Sequence, residues 1–296
     1  MSHATEGSAS ELAYSSFLKS YPTYAETAAL DGLRAREYDR LDHTRQVYLD
    51  YTGGSQYAAS QLREHFDLLR GSVFGNPHST SGTSMASTEW LQRARAHVLE
   101  FFQAPPGEYL AIFTPNASGG LKLVGESYPF APGARYLLTT DNHNSVNGVR
   151  EFARSRGAAV EYVPLQLPEL RIDRPALRKQ LQAKDRSHPG LFAFPAQSNF
   201  SGVQHPLDLI DEARDAGWDV LLDAAAFVPT NRFDLSRHKP DFAVISFYKM
   251  FGYPTGAGCL LMRRDVLPRL HRPWFAGGAV RIASVRGGLI VRHDDE

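Results

Sequence analysis

Two segments of the chain hold residues that could do chemistry together. In VLLDAAAF, residues 220–227, an apolar run ends on Asp223, where a carboxylate is unfavourable to bury unless its charge is compensated. In VISFYKMFGYPTGAG, residues 244–258, a second apolar run is followed by Lys249 and then by a turn containing Gly and Pro. An acid and an amine at neighbouring strand ends can simply pair with each other. They can also serve pyridoxal phosphate (PLP): a lysine amine condenses with its aldehyde, and an aspartate keeps the ring nitrogen protonated so that the ring accepts electrons from a substrate carbanion. That second reading needs an anion site for the phosphate. FTPNASGGLKLVGE, residues 113–126, offers one: Asn116, Ala117, Ser118 and two glycines stand where an apolar run gives way to a helical pattern, and free backbone N–H groups there favour an anion. Asn116 and Ser118 would equally serve as helix caps. Spacing alone leaves both choices open.

Residues at strand ends must be positioned by a sheet. Short apolar runs alternate with amphipathic segments along most of the chain, the pattern of βα units around a largely parallel sheet. Strands are expected at 47–51, 109–113, 136–140, 160–163, 191–194, 220–223, 242–246 and 258–262, and helices at 58–69, 87–102, 118–127, 146–155, 174–182 and 206–215. The helical segments repeat apolar residues at three- and four-residue spacing, as in Leu91, Ala94, Val98 and Phe101. Open α/β sheets bind ligands beyond the carboxyl ends of their strands, where Asp223 and the Asn116 turn fall. Residues 1–45 read as a helical extension that packs outside the main domain or reaches a partner subunit. From Ala276 onward the chain carries two Gly-Gly pairs, ends in RHDDE and shows no domain-sized pattern.

Composition narrows the function classes. At about 150 residues per domain, 296 residues suggest about two units. Thirty-two basic residues balance thirty-two acidic ones, so the chain lacks the positive field that nucleic-acid or anionic-membrane binding draws on. Cys259 is the single cysteine, which excludes an intramolecular disulfide and a multi-thiolate metal site built from this chain, and no metal is expected. No run approaches the ~20 apolar residues of a membrane span, and the N-terminus lacks a basic stretch followed by an apolar one. A cytoplasmic setting fits these features.

Eight stretches then fix a resemblance: YLDYTGGSQY (48–57), FGNPHS (74–79), IFTPNASGGLKLVGE (112–126), DNHNSV (141–146), FPAQSNFSG (194–202), LDAAAFVPT (222–230), SFYKMFGYPTGAG (246–258) and WFAGGAV (274–280). In this order they resemble the fold-type I PLP enzymes of aminotransferase class V, which include the cysteine desulfurases. Within that group they are most similar to the N-terminal, PLP-binding domain of molybdenum cofactor sulfurases and related bacterial proteins. The resemblance implies a three-layer α/β sandwich around a mostly parallel sheet. It divides the chain into an N-terminal helical extension (1–45), a PLP-binding large domain (46–280) and a short tail (281–296), with the second, smaller domain largely absent. It implies an amino-acid substrate, cysteine foremost, and a homodimer.

The same resemblance distributes roles. Lys249 would be the Schiff-base lysine, Asp223 the partner of the pyridine nitrogen, and His143 a ring-stacking residue that shuttles protons, for which a near-neutral pKa is suited. Asn199 matches the residue that hydrogen-bonds the phenolic oxygen. Ser246 and Tyr248 would join Asn116, Ala117 and Ser118 around the phosphate. The chain departs from cysteine desulfurases at Ala226, where they commonly carry glutamine, and at Tyr248, where they carry histidine. Both departures lean toward the sulfurase branch. The family's substrate-carboxylate arginine, persulfide cysteine and phosphate-capping threonine would follow WFAGGAV and have no counterpart in this sequence. Cys259, in GAGCLLM, reads as a buried strand residue. The alternatives are a PLP aminotransferase, epimerase or lyase of the same fold, or a PLP-binding protein without turnover. A serine hydrolase is a further alternative, since GTSMA at 82–86 approaches the G-x-S-x-G elbow, but that motif requires a strand immediately before Ser84.

Overall fold

The alternation of strands and helices is realised in a computed structural model that describes residues 3–77, 79–271 and 280–292. The strands are β1 (Tyr109–Thr114), β2 (Arg135–Thr139), β3 (Ala159–Val163), β4 (Leu165–Gln166), β5 (Arg171–Ile172), β6 (Gly190–Pro195), β7 (Asp219–Asp223), β8 (Phe242–Ser246), β9 (Gly258–Arg263), β10 (Val280–Ala283) and β11 (Ile290–Arg292). Seven of them form one sheet in the order β1-β9-β8-β7-β6-β2-β3. β9 runs antiparallel to both β1 and β8, and the pairings β8–β7, β7–β6, β6–β2 and β2–β3 are parallel. β4 with β5 and β10 with β11 make separate two-stranded ribbons.

The central strands are apolar along their whole length because both sheet faces are covered. Every residue of β6 and of β8 is buried. Side chains alternate between the faces at the strand period of two. Leu137, Phe192, Phe194, Val220, Leu222, Ala243 and Ile245 enter one core, while Tyr136, Leu138, Leu191, Ala193, Leu221, Phe242 and Val244 enter the other. Helices close each face. On the first, α8 (Arg174–Gln182) contributes Leu177 and Leu181, and α9 (Leu209–Asp215) contributes Leu209, Ile210 and Ala213. On the second, α6 (Ala117–Ser127) contributes Leu121 and Val124, and α7 (Asn144–Ser155) contributes Val146, Val149 and Ala153. The result is the three-layer α/β sandwich expected from the sequence, with a mostly parallel sheet in the middle.

The chain divides into two units, residues 1–49 with 56–70 and residues 50–55 with 71–296. The smaller contains α1 (His3–Ser20), α2 (Ala28–Glu37), α3 (Arg40–His43) and most of α4 (Ala59–Gly71). Within it, Arg40 donates to the Tyr57 carbonyl at 2.5 Å and lies 3.9 Å over the Tyr57 ring. The larger unit adds α5 (Gly82–Phe101) and α10 (Phe247–Phe251). Among the described residues no helix is long and apolar enough to cross a membrane.

The strand expected at 47–51 does not form. Val47 and Leu49 are 84% and 82% exposed and belong to no ladder; an apolar run becomes a strand only where a neighbour accepts its hydrogen bonds. The second Gly-Gly pair also acquires a role that the sequence left unread. Gly287 and Gly288 take φ of 84° and 64° in the turn that joins β10 to β11, a conformation in which a side chain is strained. Residues 274–279 of the WFAGGAV stretch, and His78 of FGNPHS, lie outside the described residues.

Phe192 is fully buried and stacks on Phe194 with ring centroids 5.2 Å apart. Phe192→Ala is expected to cost about 3–5 kcal/mol, read from the urea midpoint at unchanged m-value. A loss below about 1 kcal/mol would contradict the tight packing of this face.

Candidate active site

The parallel strands all deliver their carboxyl ends to one edge of the sheet, and the loops that leave it carry the polar residues. β1 leads into Asn116, Ala117 and Ser118; β2 into Asp141–His143; β6 into Gln197 and Asn199; β7 ends on Asp223; β8 ends on Ser246 and leads into Tyr248 and Lys249. β9 starts at the same edge, with Gly258 in register with both Ser246 and Thr114. One cleft of about 540 Å³, counting space open to solvent, is lined by all nine residues singled out in the sequence: Asn116, Ala117, Ser118, His143, Asn199, Asp223, Ser246, Tyr248 and Lys249.

The turn after β1 is built to leave polar groups facing that cleft. Asn116 caps α6, its Oδ1 accepting from Gly119 N at 3.0 Å, and Thr114 Oγ1 donates to the Asn116 carbonyl at 2.8 Å. Ala117 N donates to Ser246 Oγ at 2.9 Å, so the Ser246 hydroxyl keeps its own proton to donate elsewhere. Ser118 Oγ and Ser145 Oγ lie 2.5 Å apart. The turn seats against β9 only because residue 258 is glycine. A Cβ there would stand 2.6 Å from Asn116 Cα and 2.7 Å from the Ile245 carbonyl oxygen. Helix capping and an anion cradle, alternatives in the sequence, are therefore compatible: Asn116 caps, while the serine hydroxyls and the first turn of α6 face the cleft.

His143 caps α7, and its Nδ1 accepts from Ser145 N at 3.2 Å. A ring nitrogen that accepts from a backbone N–H carries no proton, so the neutral ring holds its proton on Nε2. The loop that bears His143 is anchored behind the cleft. Asp141 Oδ2 lies 2.7 Å from His205 Nε2, with the two side chains 5% and 0% exposed, and Asp141 Oδ1 accepts from Thr139 Oγ1 at 2.8 Å. Asn142 Nδ2 donates across to the Ala193 carbonyl of β6 at 3.2 Å. His205 N in turn donates to the Ala196 carbonyl at 3.0 Å, so the loops after β2 and β6 are tied together.

Asp223 sits on the floor, 8% exposed. Burial raises its pKa above the ordinary value, while the hydrogen bond from Ala225 N (3.0 Å), the charge of His143 when its ring is protonated, and the charge of Lys249 pull it down. Asp223 and Lys249 do not form an ion pair, so the simple salt-bridge alternative is not what the fold builds. No described residue hydrogen-bonds or ion-pairs Lys249 Nζ. Ser145 and Gln197 also line the cleft and were not singled out in the sequence. Both lie inside quoted stretches, and Ser145 could have been found from its place two residues after His143. Cys259 is buried on β9 and does not line the cleft, and burial pushes its thiol up to about 12. Ser84 lies in the first turn of α5 with Ser81 as its cap, and no strand precedes it, so the hydrolase elbow is absent.

Lys249 without a described partner, buried Asp223 and a hydroxyl-lined helix turn thus converge beyond the strand ends of a three-layer α/β fold. The family model for aminotransferase class-V matches residues 47–289, and the chain belongs to that family. It is 38% identical to the molybdenum cofactor sulfurase of Solanum lycopersicum over 90% of this chain and 36% of that protein. The human molybdenum cofactor sulfurase is also 38% identical, over 84% of this chain and 29% of that one. The chain thus spans about a third of the length of the curated relatives it matches. Among solved structures, cysteine desulfurases from Thermococcus onnurineus NA1 (TM-score 0.75, 22% identity, 88% of this chain and 64% of that one) and Escherichia coli (0.72, 21%, 89% and 64%) share the fold.

Two outcomes test the site's physics. Asp223 has a raised folded pKa, so its contribution to stability is fully present below the unfolded value of 3.8 and is lost as pH rises through the folded value. Asp223→Asn is therefore expected to stabilise the cofactor-free protein by roughly 1–3 kcal/mol at about pH 7 and to have no effect below about pH 4. Equal urea midpoints at both pH values would show that the carboxylate is not penalised. Gly258→Ala forces the Asn116 turn off β9 and is expected to destabilise by about 1–3 kcal/mol, with faster amide exchange at Gly119. An unchanged melting temperature would refute the close approach.

Proposed function

We propose that this chain holds PLP in the cleft and acts on an amino acid, cysteine in the first place, in the manner of cysteine desulfurases and molybdenum cofactor sulfurases. The observation that carries the reading is the convergence of four complementary parts: Lys249 without a described partner, buried Asp223 without a described cation in contact, His143 with Nδ1 accepting from Ser145 N, and a hydroxyl-lined turn at a helix N-terminus. These residues fit the group. A buried carboxylate that no side chain neutralises is suited to a protonated ring nitrogen, and the Asn116–Ser118 turn with Ser246 is suited to a phosphate.

When bound, PLP supplies an electron sink for the substrate's α-carbon. In this reading Lys249 provides the amine that holds the aldehyde, and Asp223 accepts the ring N–H and keeps the proton there. Ser118, Ser246 and the backbone of Asn116–Ser118, with Tyr248 beside them, hold the phosphate. Asn199 donates to the phenolic oxygen, and His143 moves protons to and from the substrate at the open side of the cleft. The homodimer implied by the resemblance and the cytoplasmic setting that fits the composition belong to the same proposal.

Sulfur leaving cysteine needs an acceptor. Cys259, the one cysteine of these 296 residues, is buried and stays protonated at neutral pH, so the acceptor comes from outside this sequence. The same observation favours, as a second reading, a reaction on this fold that uses no protein thiol: transamination, epimerisation, elimination, or cofactor binding without turnover.

Purified protein mixed with PLP is expected to turn yellow, and borohydride should fix the cofactor covalently on Lys249 in a peptide map. Lys249→Ala should show neither. With an added dithiol to accept the sulfur and reduce it, alanine and sulfide released from cysteine, against no product from other amino acids, would support the first reading over the second. A wild-type protein that takes up no PLP would end both.

A further inference from the structure

Three side chains of the cleft form a hydrogen-bonded series whose direction follows from one backbone group. Ser145 N donates to His143 Nδ1 at 3.2 Å, so that nitrogen is bare in the neutral ring and can only accept. Ser145 Oγ lies 2.9 Å from the same Nδ1. A bare ring nitrogen brings no proton to this contact, so the Ser145 hydroxyl donates to it. Ser145 Oγ also lies 2.5 Å from Ser118 Oγ, and its one proton is already engaged. Ser118 must therefore supply the proton between the two serines. The series runs from the Ser118 hydroxyl to Ser145 Oγ and from the Ser145 hydroxyl to His143 Nδ1, linking the first turn of α6 to the first turn of α7.

This direction conflicts with a role for Ser118 toward an anion. A fully ionised anion brings no proton, so the Ser118 hydroxyl can bind one only by turning its own proton outward. Ser145 must then donate to Ser118, and it presents lone pairs to His143 where its proton stood. With a neutral ring, two acceptors face each other 2.9 Å apart, and a proton on Nδ1 restores the bond. The other charged and titratable groups near the ring stand outside this series. Among the described residues, Asp223, Lys249 and Tyr248 line the same cleft without a hydrogen bond to the ring. Asp141 is held by His205 at 2.7 Å, and on α6 Lys122 pairs with Glu126 at 2.7 Å.

We propose that Ser118 and Ser145 form a relay through which an anion at the start of α6 promotes a proton on His143 Nδ1, with Ser145 the positioning residue between them. The proposal rests on the anion site of the PLP reading above. Linkage makes the effect reciprocal: a proton on Nδ1 frees Ser118 to donate and so tightens the anion. The residue assigned to proton transfer is thereby better supplied with a proton when the anion site is filled.

Sulfate is the probe, because it has no proton to exchange near neutral pH. Nitrogen NMR of cofactor-free protein with isotope-labelled histidine rings separates the neutral ring from the doubly protonated one, and among the 11 histidines the signal lost in His143→Gln is that of His143. Saturating sulfate should raise the ratio of doubly protonated to neutral His143, and the rise should be about 2- to 10-fold larger in the wild type than in Ser145→Ala. The part that survives in the variant is the through-space effect of the anion's charge. Ser145→Thr keeps the hydroxyl and should recover the difference. An equal rise in wild type and Ser145→Ala, or no rise while the backbone amides of Ala117–Gly119 respond to sulfate, would overturn the relay and leave the PLP reading intact. Amides that respond to PLP and not to sulfate would do the same, and amides that respond to neither would overturn both. If Ser145→Ala does not fold, Ser118→Ala breaks the relay at its other end, with the smaller rise again expected and an equal rise again overturning the assignment.

Discussion

A carboxylate closes the middle strand of the sheet with no described cation in contact, and much of the surrounding architecture follows from holding it there. β7 is the fourth of seven strands, so Asp223 lies as deep in the sheet as any strand end can. Burial of this kind disfavours the charged form. The fold offsets it only in part, with one backbone N–H, the more distant His143 when protonated, and the more distant charge of Lys249. The unmet electrostatic demand is the physical content of the site. In the proposed function a protonated ligand nitrogen would satisfy it, whereas an ion pair with Lys249 would have removed the demand and engaged the amine.

Holding that carboxylate deep requires that its neighbours arrive at the same edge. Parallel β2, β6, β7 and β8 do so by their connectivity, and β9 does so by running the other way and starting there. The approach of β9 to the Asn116 turn is close enough that only glycine fits at 258. Around the rim, loops that would otherwise move independently are joined by polar contacts: Asp141 with His205 and Asn142 with Ala193, both buried, and Gln197 with Gln204 and Asn231 nearer the surface. Each tie spans two strands' worth of loop, so the cleft is a preorganised set of donors rather than a flexible mouth.

Membership of aminotransferase class V accounts for the arrangement without deciding the reaction. The fold likeness to cysteine desulfurases comes at 21–22% identity and speaks for architecture, whereas the closer sequence likeness to molybdenum cofactor sulfurases covers about a third of those proteins. Within the chain, the distinguishing chemistry is the buried thiol of Cys259. A thiol on a fully covered strand serves packing, so sulfur chemistry in this cleft depends on an acceptor that reaches it from elsewhere.

The chain's alternating periods of two and three to four determined seven of the eight expected strands, the helices between them and the covered parallel sheet, because each is a local pattern of apolar residues. The motif residues Asn116, His143, Asp223 and Lys249 were legible for the same reason: strand ends and helix starts are local events. The expected strand at 47–51 had the right composition and joins no described sheet, and pairing is a property of two segments. Tertiary structure alone decided that Asp223 and Lys249 stay apart, that Gly258 must admit the Asn116 turn, and that Asn231, 34 residues from Gln197, reaches its side-chain oxygen at 3.3 Å. These are distances between segments remote in sequence, set by how the sheet brings its strand ends together, and no spacing along the chain encodes them.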